Sequence, residues 1–530
     1  MARRREDRFA SADEAGQALG NLVTSDTLPP VSITPVSASR VQEAAPALAA
    51  PGKVPTSAKT VAVLPLVNLG PADDEYLAQT LTEDLVDLLS VVPELRVRPR
   101  GQTAKMDDAA RDVRELGRTL NVDVVVDGSI RRIGDAVRIA VRLVTVEDGF
   151  QLWARRFERS PAKVLTVADE AAGAIARALA TEHAAQPRQG TTDSVAQELY
   201  LRGRFLMHRG WFESTRHAVG MLREAWQRAP SDPRIGGTYA LSLARIMPAE
   251  DNGGETTREA RAVADKVLAM SPTQAEARVA LGLIHLGASE SAAAATEFGR
   301  ALAVSPNAVE ALDAVGRLLA EAGRPEVGIE TLRRALAIDP ELSQARHTIG
   351  RIYGLFADIE SFEEAMGPFP EHPGDLVPYL MTRARVLLWS RDPERAKALL
   401  PRLSDLALSP YARASIDGLF EVASTLTLSP ALRPKIDAML SLDAPFAPRR
   451  LCFHAQLRVE IKLATGDVEG AMKDLHGADA HGLVDLVWLD RCPLFDGLRD
   501  RAEFVAVRAK TAARAQRVLQ AIDDAHVRFS

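Results

Sequence analysis

The feature that most constrains this chain is a repeat of fixed length. Pro272, Pro306 and Pro340 lie 34 residues apart, and each ends a similar phrase: Ala-Met-Ser-Pro, Ala-Val-Ser-Pro and Ala-Ile-Asp-Pro. Gly282, Gly316 and Gly350 keep that spacing, as do Phe298 with Leu332 and Ala301 with Ala335. A period of this length marks stacked supersecondary units rather than one globular core. The residue types fit a helical hairpin. Gly282 and Ala294 lack bulk where paired helices approach, Phe298 fills the space between them, and Ala301 fits against the next unit. Pro306 stops the second helix and starts the turn into the next repeat. A single hairpin cannot bury its own apolar face, so about three in succession are needed for stability.

A period of 34 with this phrase resembles the tetratricopeptide repeat family. The resemblance implies an all-α solenoid that binds protein or peptide partners in a groove lined by the first helix of each hairpin. The pattern continues less strictly on both sides. Upstream, Tyr200 to Gly203 opens a first helix, and Ala218, Leu222, Ala225 and Pro230 keep the second-helix spacing. Tyr239 to Ile246 and Ala260 to Met270 form a pair with a longer loop through Asp251-Asn252-Gly253-Gly254. Downstream, Ala345 to Tyr353 begins a repeat whose second helix meets Pro368, Pro370 and Pro373. Ala384 to Trp389 with Glu394 to Leu400, and Leu451 to Ala464 with Val468 to Leu475, read as further hairpins. Trp488 to Leu498 leads into a terminal helix, expected to be a cap. The solenoid is expected over 194–527.

Composition agrees with small-residue helix packing, since 46% of the chain is hydrophobic but only 5% is aromatic. The 530 residues exceed one domain, and a formal net charge of −6 gives no global attraction to nucleic acid or anionic lipid. We therefore expect neither as a partner. Cys452 and Cys492 are the only cysteines, too few for a disulfide framework. No apolar run reaches the ~20 residues of a membrane helix, and no apolar segment follows Met1-Ala2-Arg3-Arg4-Arg5. The expectation is a cytoplasmic protein.

The middle of the chain, 59–185, alternates strand and helix patterns. Thr60 to Leu66 reads as a buried strand, broken at Asn68-Leu69-Gly70-Pro71. Leu77, Leu81, Leu85, Leu88 and Leu89 share one face of the helix that follows. Leu95 to Arg98 is a short strand, and Val113, Leu116 and Leu120 mark a second helix. Three strands then run over Val124 to Arg132, Ala136 to Val146 and Phe150 to Phe157, joined by turns at Gly134-Asp135 and Asp148-Gly149. A last helix spans about Lys163 to Thr181. The phrases Val61-Ala62-Val63-Leu64-Pro65, Leu81-Thr82-Glu83-Asp84-Leu85, Asp127-Gly128-Ser129-Ile130-Arg131-Arg132 and Leu152-Trp153-Ala154-Arg155-Arg156-Phe157 resemble the cytoplasmic relatives of the TolB amino-terminal domain. In that family the domain is often followed by tetratricopeptide repeats. It is commonly preceded by a protein kinase, an adenylate cyclase or a winged-helix DNA-binding domain, so the resemblance implies a regulatory role and assigns no catalytic residue. The fold class expected is a multi-domain chain of α+β and α type: a small α/β domain with a mixed sheet, then the helical solenoid.

Residues 1–22 are charged and helix-like. Arg5 to Glu14, followed by Ala15 to Leu22, resembles the closing helix of a bacterial Ser/Thr protein kinase, with Ser11 as N-cap and Glu14 completing a capping box. Residues 23–58 carry Pro29, Pro30, Pro35, Pro46, Pro51 and Pro55 and read as an extended linker. A Gly-rich loop, a strand Lys, a His-Arg-Asp loop and Asp-Phe-Gly are all absent from the sequence.

Chemistry-bearing clusters are few. Asp73-Asp74-Glu75 are expected to complement the positive end of the helix they open. Glu83 and Asp84 are placed on its polar side. Arg131, Arg132, Arg138, Arg142, Arg155, Arg156 and Arg159 lie on adjacent strands, with Arg138 and Arg142 on one face; pairing with the domain's own acids is the expectation. Cys452, His454, His476, His481 and Cys492 match no zinc spacing. No Gly-x-Ser-x-Gly elbow occurs. No catalytic, cofactor or metal residue is assigned. The expected function is a non-enzymatic signalling scaffold. The alternative is the C-terminal regulatory half of a Ser/Thr kinase whose catalytic lobe lies elsewhere.

Overall fold

The computed structural model describes residues 59–525, apart from 93, 104–112, 161–162, 180–192, 209–211, 251–253, 371–372, 404–405, 407 and 409. The kinase-like helix expected over 1–22, the linker over 23–58 and the boundaries at 185 and 527 lie outside the described residues.

A mixed sheet opens the described chain. Strand β1 (Lys59–Val63) pairs in parallel with β3 (Leu95–Val97) and with β4 (Val124–Ile133). β5 (Ala136–Thr145) and β6 (Gln151–Arg159) extend it in antiparallel fashion, giving the order β3-β1-β4-β5-β6, while the short β2 (Val67–Asn68) also pairs with β4. Gly134 at φ 57° makes the left-handed bend between β4 and β5, a conformation that costs glycine little. β1 is hydrophobic on both sides because both sheet faces are covered. Val61, Val63, Val126, Ile139 and Val141 share a core with helix α1 (Glu75–Ser90). Ala62, Leu64, Val125 and Val144 form a second, smaller core. The short helices α2 (Arg100–Thr103) and α3 (Val113–Thr119) follow β3, and Val113 of α3 belongs to that second core. Helix α4 (Leu165–Ala178) lies beside α1 and contributes Val167, Ala171 and Ile175 to the first.

Every later element is helical. The hairpins are α5 (Ser194–His208) with α6 (Phe212–Arg228), α7 (Pro233–Glu250) with α8 (Glu255–Met270), and α9 (Ala275–Gly287) with α10 (Ser291–Val304). Next come α11 (Val309–Glu321) with α12 (Pro325–Ile338), and α13 (Ser343–Leu355) with the short α14 (Ile359–Met366). α15 (Pro373–Trp389), α16 (Pro393–Leu403), α17 (Pro410–Thr425) and α18 (Arg433–Met439) carry the array on to α19 (Pro448–Ala464) and α20 (Val468–Ala480). α21 (Leu486–Arg491) and α22 (Ala502–Asp524) end it. The periodic glycines set the helix pairing: an ideal Cβ on Gly282 would stand 2.5 Å from Phe298, and one on Gly316 would stand 2.7 Å from Leu332.

The loop expected through Asp251 to Gly254 falls between α7, which ends at Glu250, and α8, which starts at Glu255. Glu83 and Asp84 are not on a solvated face of α1. Both are buried, because α5 covers that side and brings Arg204 to 2.6 Å from Asp84. The terminal helix α22 does more than cap the last hairpin, where Phe504 and Val507 share a core with Leu475 of α20 and Lys510 and Arg514 pair with Asp479. It reaches back to lie along α10, where Ala515, Val518 and Ile522 join the core of the early repeats. Arg324, the N-cap of α12, clasps Asp523 of α22 through two hydrogen bonds of 2.7 and 2.8 Å. The helical array is therefore closed on itself. No described helix is long and apolar enough to cross a membrane.

Candidate functional site

Closure leaves a cavity of about 1130 Å³ on the inner side of the array. Its wall comes mainly from first helices: Met247 of α7, Ile284 of α9, Arg317 and Glu321 of α11, His347 and Arg351 of α13, Met381 and Arg385 of α15. Phe446, Arg449, Gln456 and Asp485 close it from the C-terminal side. The volume is at the upper end for a ligand site, and the lining mixes an apolar surface with convergent charges.

Buried ion pairs hold the two sides together. Arg385 makes hydrogen bonds of 2.7 and 2.9 Å to Glu460 of α19, and Trp488 donates a third to that carboxylate at 2.8 Å. Arg351 is paired with Asp485. Arg449 meets Glu321 at 2.5 and 2.6 Å. Burial alone would raise the Glu321 carboxyl, but Arg449 holds it below the usual carboxylate range. The Arg385 contact sets two guanidinium nitrogens on two carboxylate oxygens, a directional and strong arrangement, whereas Arg449 meets both Glu321 oxygens through one nitrogen. On α11, Arg317 Nε lies 3.2 Å from Asp313, one turn earlier on the same helix, and burial raises the Asp313 carboxyl. His347 is 5% exposed. Burial and the nearby Arg346 lower its imidazole to about 4, so it is neutral near pH 7.

The cysteine and histidine residues noted in the sequence are placed apart in role. Cys452 lies on the cavity wall with its thiol pushed up to about 12 by burial, and Cys492 is buried; neither forms a disulfide. His454 packs edge-on against Phe446 at 5.5 Å. Among the described residues no group of three or more His, Cys, Asp or Glu side chains could hold a metal ion. The sheet arginines have acidic neighbours: Arg138 with Glu158 at 3.0 Å, Arg142 with Asp127, Arg159 with Glu170 at 3.1 Å. Asp74 does more than face a helix end, since it is buried and accepts a 3.0 Å bond from Arg132. The cavity pairs join partners up to 134 residues apart, a separation that leaves no local signal.

The α/β domain is fastened to the array through α5, α12 and the turn before α11. Tyr76 of α1 bonds Glu198 of α5, Ser90 accepts a 2.8 Å bond from Asn307, and Gly101 approaches the backbone of Ala337.

Residues 57–170 match the family model of the HilA/YgeH-like transcriptional regulator, second domain. The chain is also 32% identical over 151 residues to a Rhizobium meliloti (strain 1021) protein named "Putative adenylate cyclase 3". That similarity takes in 27% of this chain and 26% of the relative, so the chain spans about a quarter of the relative's length. The comparisons point to a regulatory domain in this chain.

Proposed function

We propose that the chain is a non-catalytic regulatory protein: a TolB amino-terminal-like α/β domain joined to a tetratricopeptide-type array that binds a partner protein or peptide segment in its inner cavity. The observation that carries this reading is the cavity of about 1130 Å³, walled by the first helices. The domain match to a transcriptional regulator and the partial likeness to a protein named as a cyclase support a signalling setting. In this reading no metal or cofactor takes part, and the protein acts in the cytoplasm.

The test places a photo-crosslinking amino acid at Thr382 on the cavity wall, and at Gly220 on the exposed side of α6, in the full chain within its native extract. A partner captured from position 382 and not from 220 supports the reading. Equal capture from both positions, or none from position 382, sinks it.

A further inference from the structure

The first helices carry a ladder of arginines in the 34-residue register: Arg317, Arg351 and Arg385. The closing segment answers the last two with an acid from across the cavity, Asp485 for Arg351 and Glu460 for Arg385. Arg317 has no such answer. Its contact is the 3.2 Å approach to Asp313 on its own helix, which lacks hydrogen-bond geometry, and its buried Nε has no hydrogen-bond partner. The Asp313 Oδ1 atom is also buried without one. On the next first helix, His347 is 5% exposed, lines the same cavity, and its Nδ1 has no partner either. Buried polar atoms in folded proteins are nearly always bonded, so two buried nitrogens without a hydrogen-bond partner, on residues lining one cavity, need an explanation. The cavity wall is also unbalanced in charge: Arg261, Arg317, Arg351, Arg385, Arg449 and Arg450 against Glu321 and Asp485. Close by, Met247, Leu283 and Ile284 give the wall an apolar side.

We propose that the cavity binds an organic anion, whose carboxylate or phosphate group completes the ladder at Arg317 and His347 and whose apolar body lies against Met247, Leu283 and Ile284. The proposal rests on the reading of the cavity as an occupied site and adds the chemistry of the occupant. A guanidinium presents its donors as a planar fork that matches both groups. An anion inside a low-dielectric wall gains more from that fork than it would in water. Neutral His347 supplies a hydrogen bond without a second fixed charge. A free small acid and the acidic side chain of a peptide share this chemistry.

The test uses the full chain and fluorine NMR line broadening. The probes are 4-(trifluoromethyl)benzoate, 4-(trifluoromethyl)phenyl phosphate, the neutral 4-(trifluoromethyl)benzamide, and a capped peptide carrying the same ring beside a glutamate. At least one anion is expected to bind roughly tenfold or more tightly than the amide, in line with a charge-assisted hydrogen bond. The free acids binding better than the peptide assigns the site to a small acid, and the reverse order assigns it to a peptide; either supports the proposal. Because removing Arg317 alone leaves a buried carboxylate unpaired, Arg317→Met is made together with Asp313→Asn. Asp313→Asn alone keeps binding, and the double variant loses it by roughly tenfold. Amide binding equal to the anions, or a double variant that binds as well as Asp313→Asn, overturns the anion proposal while leaving an occupied cavity standing. No binding by any anion also overturns the anion proposal, and partner capture at position 382 then decides the cavity reading on its own.

Discussion

At Gly282 the space that a Cβ would fill is already taken by the ring of Phe298, 2.5 Å away in the middle of a helical hairpin. The same relation holds at Gly203 with Leu222, Gly350 with Met366 and Gly418 with Ile436. Gly220, on the outer side of α6, meets nothing within 4 Å. These two kinds of glycine predict opposite outcomes. Gly282→Val should destabilise the chain by about 1–3 kcal/mol through overpacking. Gly220→Ala should stabilise it by about 0.5–1 kcal/mol, the helix-propensity difference. Urea denaturation of the two variants measures both signs. The 34-residue register announced Gly282, Gly316 and Gly350 in the sequence because their partners Phe298 and Leu332 are equally spaced. Met366 stands in that register too, but it sits at the end of the short α14, where Pro368 and Pro370 mask the second-helix pattern. Gly203 and Gly418 belong to hairpins of other lengths, so spacing alone could not reveal them.

Between elements, the energetics turn on buried pairs that span the cavity. Arg385 and Glu460 are 5% and 0% exposed at their side chains, so losing one partner strands a charge in a dry site. Glu460→Gln should cost about 3–5 kcal/mol, and Arg385→Met combined with Glu460→Leu should recover most of it. Thermal melts of the single and double variants give the comparison, and equal losses in both would contradict it. The hairpins and the strands of the α/β domain were legible because their signals are local: apolar spacing, prolines at helix ends and Gly134 at a strand turn. The cavity was not. Whether Arg385 faces Glu460, 75 residues on, depends on how many hairpins stack and on how far the array curves. Neither quantity has a local signature. Glu83 and Asp84 were misplaced for the same reason, since a charged face reads as solvated until another element arrives to cover it.

On the scale of the molecule, the joint between the α/β domain and the array concentrates acids. Burial pushes the Asp87 carboxyl up to about 7; Arg204 opposes the rise, and Asp84, Glu276 and Glu83 add to it. A carboxyl raised in the folded state contributes stability that is full at low pH and is lost as pH climbs through 7. His347, lowered to about 4, works the other way, and its contribution is lost as pH falls from 6.5 toward 4. The chain should therefore gain stability between pH 8 and pH 6.5. Asp87→Asn should flatten that gain, worth on the order of 1 kcal/mol once solvent access to Asp87 is allowed for. Melting temperatures of both proteins at pH 8 and pH 6.5 decide it; a variant that keeps the full gain would remove Asp87 from the account.

The return of α22 to α10 has a bearing on how such a chain can change over time. An open array of repeats tolerates the gain or loss of a unit, because each hairpin answers only to its neighbours. Here the last helix must arrive beside Ser291–Val304 with Asp523 in reach of Arg324. One hairpin more or fewer between them would turn that helix away from its seat and uncover Val518 and Ile522. Lineages carrying this closure should vary in sequence and in loop length while keeping their number of hairpins fixed.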